Sequence, residues 1–208
     1  MFLHSRPLLP ASGVFLFFAV IAGALAIAVL VGGDIRRLSR IRVNRPEFLI
    51  AAFVAKVVVA LLGTTHSQFA INTARPLNIV GAILLLLVVW FNRQVPGALL
   101  FGIGLGLNLL VITSFGGRMP VILPHNVDPN SAMLVLLKSG LDPLHVWLQH
   151  PTGLWFIGDI FTVPGIAGHS SLVSIGDLLM AAGIAWLIIQ CSQPVNRPAR
   201  PAYGSSTP

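Results

Sequence analysis

The densest run of groups able to do chemistry is LDPLHVWLQHPTGLWFIGDIF, which carries Asp142, His145, His150 and Asp159. Imidazoles and carboxylates exchange protons near neutral pH and ligate divalent metals. Just upstream, SFGGRMPVILPHNVDPN runs from Ser114 to Asn130 and adds Arg118, His125 and Asp128. His125, Asp142 and His145 are the residue types of a metal set. No histidine pair has the His-x-x-x-His spacing that one helix face would need, so interfacial histidines bonded to loop backbone are the simpler reading. Arg118, next to Gly116 and Gly117 and in the same region as Asp159, suits a ligand or lipid phosphate. The plainer role of the two glycines is to end a helix, with Pro120 preventing its resumption.

A second polar set lies inside apolar sequence: Lys56, Asn108 and Asp177. A charge at the bilayer centre costs roughly 2.5–3.5 kcal/mol even on lenient scales, so such groups must find partners. A Lys56–Asn108–Asp177 relay would suit proton or ion movement. Against it, Lys56 is expected to lean back toward the start of its own helix, and Asp177 to cap the helix it opens. Gly102 and Gly106 in LLFGIGLGLNLL have no preceding strand, so they are no dinucleotide loop. They offer a smooth face for helix packing. Ser170, Ser171 and Ser174 lack a Gly-x-Ser-x-Gly context, and Cys191 is the sole cysteine, which excludes an intrachain disulfide.

These residues sit on a scaffold that composition identifies. Of 208 residues, 55% are hydrophobic and 9% charged, where soluble domains are about one quarter charged. Spans of about 20 apolar residues are expected at 13–33, 48–64, 75–91, 95–115 and 172–191. The first is too long for a signal-peptide core and is expected to be retained. GGDIRRLSRIRVNRPE, with Arg36, Arg37, Arg40, Arg42 and Arg45, marks the cytoplasmic side. The N-terminus is then outside and the C-terminus inside a bacterial inner membrane. The net charge of +7 lies beside the apolar spans and reads as topology and lipid contact, which excludes nucleic acid as a partner. The fold expected is all-α: a five-helix membrane bundle with an ordered outer cap over 115–171, rich in Trp and Phe, and a disordered tail at 192–208.

Four strings occur in order: VGGDIRRLSRIRV, LNLLVITSFGGRMPV, WFIGDIFTVP and VSIGDLLMAAGIAWLI. Together they resemble the bacterial multi-pass membrane family known as domain of unknown function 5317, over roughly residues 13–191. The Gly-Gly-x-Met-Pro-Val and Ser-Ile-Gly-Asp strings are its most specific parts. The resemblance implies the architecture and no activity or cofactor. Three functions stay open. The first is a non-catalytic accessory subunit, partnered by the bilayer and by other membrane subunits or a second copy. The second is an enzyme with a metal or lipid-phosphate site under the cap, which requires the cap His and Asp groups to converge. The third is a small transporter, which requires Lys56 and Asp177 to face one cavity.

Overall fold

The computed structural model describes residues 12–65, 67–123, 132–164 and 170–194. His4, His66, His125, Asp128, His169 and the tail from 195 to 208 lie outside the described residues. The helices are α1 (Ser12–Leu30), α2 (Pro46–Gly63), α3 (Gln68–Phe91), α4 (Ala98–Ser114), α5 (Ala132–Ser139) and α6 (Ile175–Ser192). Local chemistry sets their ends. Pro46 starts α2, where its missing N–H costs nothing. Ser67 caps α3 by accepting from the Ala70 N–H at 3.2 Å. Gly116 and Gly117, both at positive φ, close α4 with bonds from Gly116 N–H to Thr113 O and from Gly117 N–H to Ile112 O. This is the Schellman pattern, which satisfies carbonyls that a helix end leaves open.

α2, α3 and α6 are long and apolar enough to cross a membrane, and Phe15–Leu30 and Ala98–Ser114 are shorter apolar helices. The bundle is layered with α2 on α3, α3 on α4, α4 on α6 and α6 on α1. Its interior is built from small residues: Ala28, Ala52 and Ala74 are wholly buried, while Phe18, Phe53, Phe69 and Trp186 are exposed. Large side chains outside and alanine inside suit a lipid solvent, where helices associate by close backbone approach. At one end Arg37 donates to Gln193 O at 3.0 Å, and the Asn92 side chain joins the Asn44 backbone, accepting from its N–H at 2.7 Å and donating to its carbonyl at 2.9 Å. The 34–45, 92–97 and 192–194 segments therefore share one end of the bundle.

The other end holds residues 115–123, 132–164 and 170–174, and here the all-α expectation needs correction. Among the described residues four short strands form: β1 (Met119–Val121), β2 (His145–Trp147), β3 (Phe161–Pro164) and β4 (Ser170–Val173). β1 and β2 pair in parallel and β3 and β4 antiparallel. Extended backbone follows from Pro120, which helix cannot accommodate, and from β-branched Val121, Val146, Val163 and Val173.

The closest helix contact is α4 on α6. A Cβ on Gly104 would collide with the Gly176 carbonyl and the Met180 N–H, and one on Gly183 would meet the Phe101 N–H at 2.7 Å. Gly106, two residues along, has open space around it. Gly104→Ala should therefore destabilise the chain by about 1–3 kcal/mol, whereas Gly106→Ala should be neutral. Thermal unfolding of both variants in detergent, followed by size-exclusion profile, checks the contrast.

Candidate functional site

β1 builds the site because it is bonded on both sides. Met119 lies opposite His145 in β2, and on its other edge Val121 bridges to Asp159, whose N–H bonds Pro120 O at 2.9 Å. Gly158 permits that approach, since a Cβ there would meet Pro120. All three residues of β1 are buried. Asp142 and Asp159, distant in sequence, are thus held on either side of the His145 ring.

Asp142 uses its carboxylate fully. Oδ1 accepts from the Leu144 and His145 N–H groups, each at 2.8 Å, and both oxygens lie 3.1 Å from His145 Nδ1. This fixes the ring and leaves Nε2 pointing toward Asp159, whose Oδ2 is 3.8 Å away. That gap exceeds a hydrogen bond and opens on a cavity of about 180 Å³ lined by Asn78, Asn108, Met119, His145, Asp159 and Asp177. The bundle supplies its floor. Asp177 Oδ1 accepts from Asn108 Nδ2 at 2.8 Å, and Asn108 Oδ1 accepts from the buried Ser174 hydroxyl at 2.9 Å. Ser174 and Asp177 form a reciprocal capping box that starts α6. Gly176 leaves the room that the Asn108 amide occupies.

The charges in the cap shift one another. Burial raises the Asp159 carboxyl to about 7, the Asp177 charge adds to this and His145 opposes it. For His145, burial disfavours the imidazolium, but the hydrogen bond and charge of Asp142, helped by Asp159 and Asp177, hold its pKa above the ordinary value. For Asp142, burial pushes upward, and the His145 hydrogen bond and charge with two backbone N–H donors outweigh it, so it lies below the usual range. The arrangement has one carboxylate held below the usual range, one oriented imidazole and one carboxyl that titrates near neutrality. It can store and pass a proton at His145 Nε2.

The sequence-selected residues are placed as follows. Asp142, His145 and Asp159 converge. Asn108 and Asp177 meet beneath them. Lys56 Nζ donates to Asn78 Oδ1 at 2.6 Å, and Asn78 lines the same cavity. Arg118 is half-buried at the entrance to β1, with Arg75 of α3 close by. Gly116 and Gly117 spend their N–H groups on the end of α4, so they provide space and no donors. Gly102 faces Val89 of α3, and the tight α4–α6 contact runs instead through Gly104 and Gly183. Among the described residues no group of three His, Cys, Asp or Glu is arranged to hold a metal ion, and His125 of the expected set lies outside them. At the opposite end, a cavity of about 240 Å³ is lined by Leu85, Val89, Phe101, Leu187 and other apolar residues, with Asn92 its sole polar side chain.

Sequence reading missed Asn78, Ser174 and Arg75. Asn78 had a signal, because Ala70, Ala74, Asn78 and Ala82 recur every four residues and all four are buried. Arg75 had none, since only the fold brings it beside Arg118.

A model of the family described as "Family of unknown function (DUF5317)" matches residues 40–189. An uncharacterized protein of Thermotoga maritima is 29% identical over 130 residues, which is 62% of this chain and 71% of the relative. No solved structure matches.

Asp159 makes a testable pH linkage. Its folded pKa lies above the unfolded value of about 4, so its neutral form stabilises the fold fully below that pH, and the contribution is lost as pH rises through 7. Relative to Asp159→Asn, the parent chain should lose on the order of 1–3 kcal/mol between pH 5 and 8. Denaturation midpoints of the two proteins across that range measure it.

Proposed function

The chain belongs to the family of unknown function DUF5317, and from the site's geometry we propose that it is a membrane enzyme performing general acid–base chemistry in a cavity reached from one side of the bilayer. One observation carries this reading: His145, oriented by Asp142, and Asp159, from a second stretch of the cap, face one cavity floored by Asn108 and Asp177. In this reading Asp142 holds the ring with Nδ1 protonated, and Nε2 exchanges a proton with the ligand. Asp159 is the second proton carrier, and the amides of Asn78 and Asn108 bind polar parts of the ligand. The accessory-subunit reading gives no reason for such convergence.

The five apolar helices are read as five crossings. The end carrying Arg36, Arg37, Arg40, Arg42 and Arg45 is cytoplasmic and the cavity is extracytoplasmic. A proton-coupled transporter is the second reading, favoured by the Lys56–Asn78 contact beside the same cavity. The enzyme reading is preferred because α4 and α6 touch backbone to backbone below the cavity, around Gly104 and Gly183.

Two measurements test this. In a Cys191→Ser background, Gln149→Cys should react with an impermeant maleimide on intact cells, and Ser39→Cys only after permeabilisation. Equal labelling of both, or the reverse order, would overturn the orientation. Native mass spectrometry of the full chain from its own membranes, compared with His145→Ala, tests the chemistry. An enzyme lacking its base should retain a molecule of different mass from that held by the parent, as unconverted substrate accumulates. The same bound mass in both, or none in either, would count against catalysis.

A further inference from the structure

Arg75 and Arg118 are unlike the other cations among the described residues. The Nε atoms of both are buried, and neither has a hydrogen-bond partner among the described residues. A buried donor left unmade is costly, and more so when charged. The two groups also repel. Burial lowers the Arg118 pKa, the Arg75 charge lowers it further, and only Asp142 pulls the other way. Asp142 is already engaged by two backbone N–H groups on Oδ1 and by the His145 ring, and neither arginine Nε bonds it. Backbone geometry enforces the pairing. Gly117 lies at φ 89°, and a Cβ there would stand 2.9 Å from the Arg75 Cβ. The loop after α4 therefore packs onto α3 at Arg75, one residue before the loop reaches Arg118.

Two adjacent guanidiniums with unused buried donors match an anion with several oxygens. A carboxylate offers two oxygens in one plane and suits one guanidinium fork. A phosphate offers oxygens in several directions and can accept from two forks at once. We propose that Arg75 and Arg118 form a phosphate-binding site at the rim of the His145 cavity, which takes the phosphate of a phosphate ester. Arg118 immediately precedes Met119, and Met119 pairs with His145 across β1 and β2. The arginines therefore stand near the Asp142–His145 pair, and on this proposal the rest of the ester extends from them to the cavity that Nε2 faces. That this ester is the substrate rests on the acid–base reading; the anion site itself does not.

The test uses the purified full chain in a phosphate-free maltoside micelle, with thermal unfolding read against added ligand. The probes are inorganic phosphate, glycerol phosphate, a short-chain phosphatidic acid and, as the carboxylate control, acetate. The parent should be stabilised saturably by at least one phosphate probe and not by acetate. Arg75→Gln and Arg118→Gln should each weaken that binding at least tenfold, with Arg118→Lys intermediate. Without anion, Arg75→Gln should be as stable as the parent or more so, since it removes the repulsion, which separates lost binding from lost folding. Binding by phosphatidic acid alone would identify the source as a lipid headgroup, and binding by the soluble probes as a free phosphate compound. Either supports the site. No phosphate-dependent shift, an equal shift with acetate, or unchanged affinity in both Gln variants would overturn it. His145→Gln should keep phosphate binding. If it does so and native mass spectrometry finds no substrate accumulation, the acid–base reading fails while the anion site stands.

Discussion

The polar floor of the cavity depends on how closely α4 and α6 approach. Gly104, Gly176 and Gly183 let the two helices meet at backbone distance, where any Cβ would clash with the opposing main chain. That contact delivers Asn108 to Asp177 and Ser174, a set that would be expensive to hold in apolar surroundings if any member lacked a partner. The same contact fixes the start of α6, because Ser174 and Asp177 are at once its capping box and partners of Asn108. A small separation of the helices would therefore loosen the packing, the cap and the floor of the cavity together.

The cap adds a second constraint, the buried strand β1. One short extended segment bonds β2 on one edge and Asp159 on the other, so the distance between His145 and Asp159 is set by main-chain hydrogen bonds. The side chains themselves make no direct bond. A gap of 3.8 Å across a cavity is what a ligand could fill, whereas the 3.1 Å contacts on the Asp142 side are already complete. On the proposed reading, the asymmetry separates the carboxylate that orients from the one that exchanges protons, and it comes from the backbone.

The helices were legible in the sequence because their signals are local. Apolar runs marked the helices, although α3 starts at Gln68, ahead of the expected 75; the Gly116–Gly117 pair marked the end of α4, and Asp177 was legible as a cap of α6. Asp142, His145 and Asp159 were legible as residue types but not as a cluster, since their convergence is made by β1, and a three-residue strand within irregular sequence carries no periodic signal. The strands escaped an all-α reading for the same reason. Gly102 and Gly106 were chosen on spacing, yet the register that faces α6 runs through Gly104. Glycines at 102, 104 and 106 make several faces smooth, and only the partner helix decides which is used. Lys56 was read from its own helix alone, so Asn78 of α3 was not weighed as its partner.

Placing the titrating groups in the cap also has a physical logic. A carboxyl that changes charge near pH 7 must be desolvated enough to raise its pKa and close enough to water to exchange its proton. Deep in an apolar bundle the first condition is met and the second fails. On an exposed loop the reverse holds. The junction between a bundle end and a folded cap satisfies both: Asp159 is 6% exposed, yet it lines a cavity shared with His145, whose side chain keeps 20% exposure. Asp177 strengthens the effect from below. Its carboxylate is held in place by a helix start and an asparagine, and its fixed charge raises the pKa of both His145 and Asp159. Protons are thereby drawn to the two groups that face the cavity. On the proposed reading, the bundle thus sets the proton affinity of the site, and the cap positions the atoms that use it.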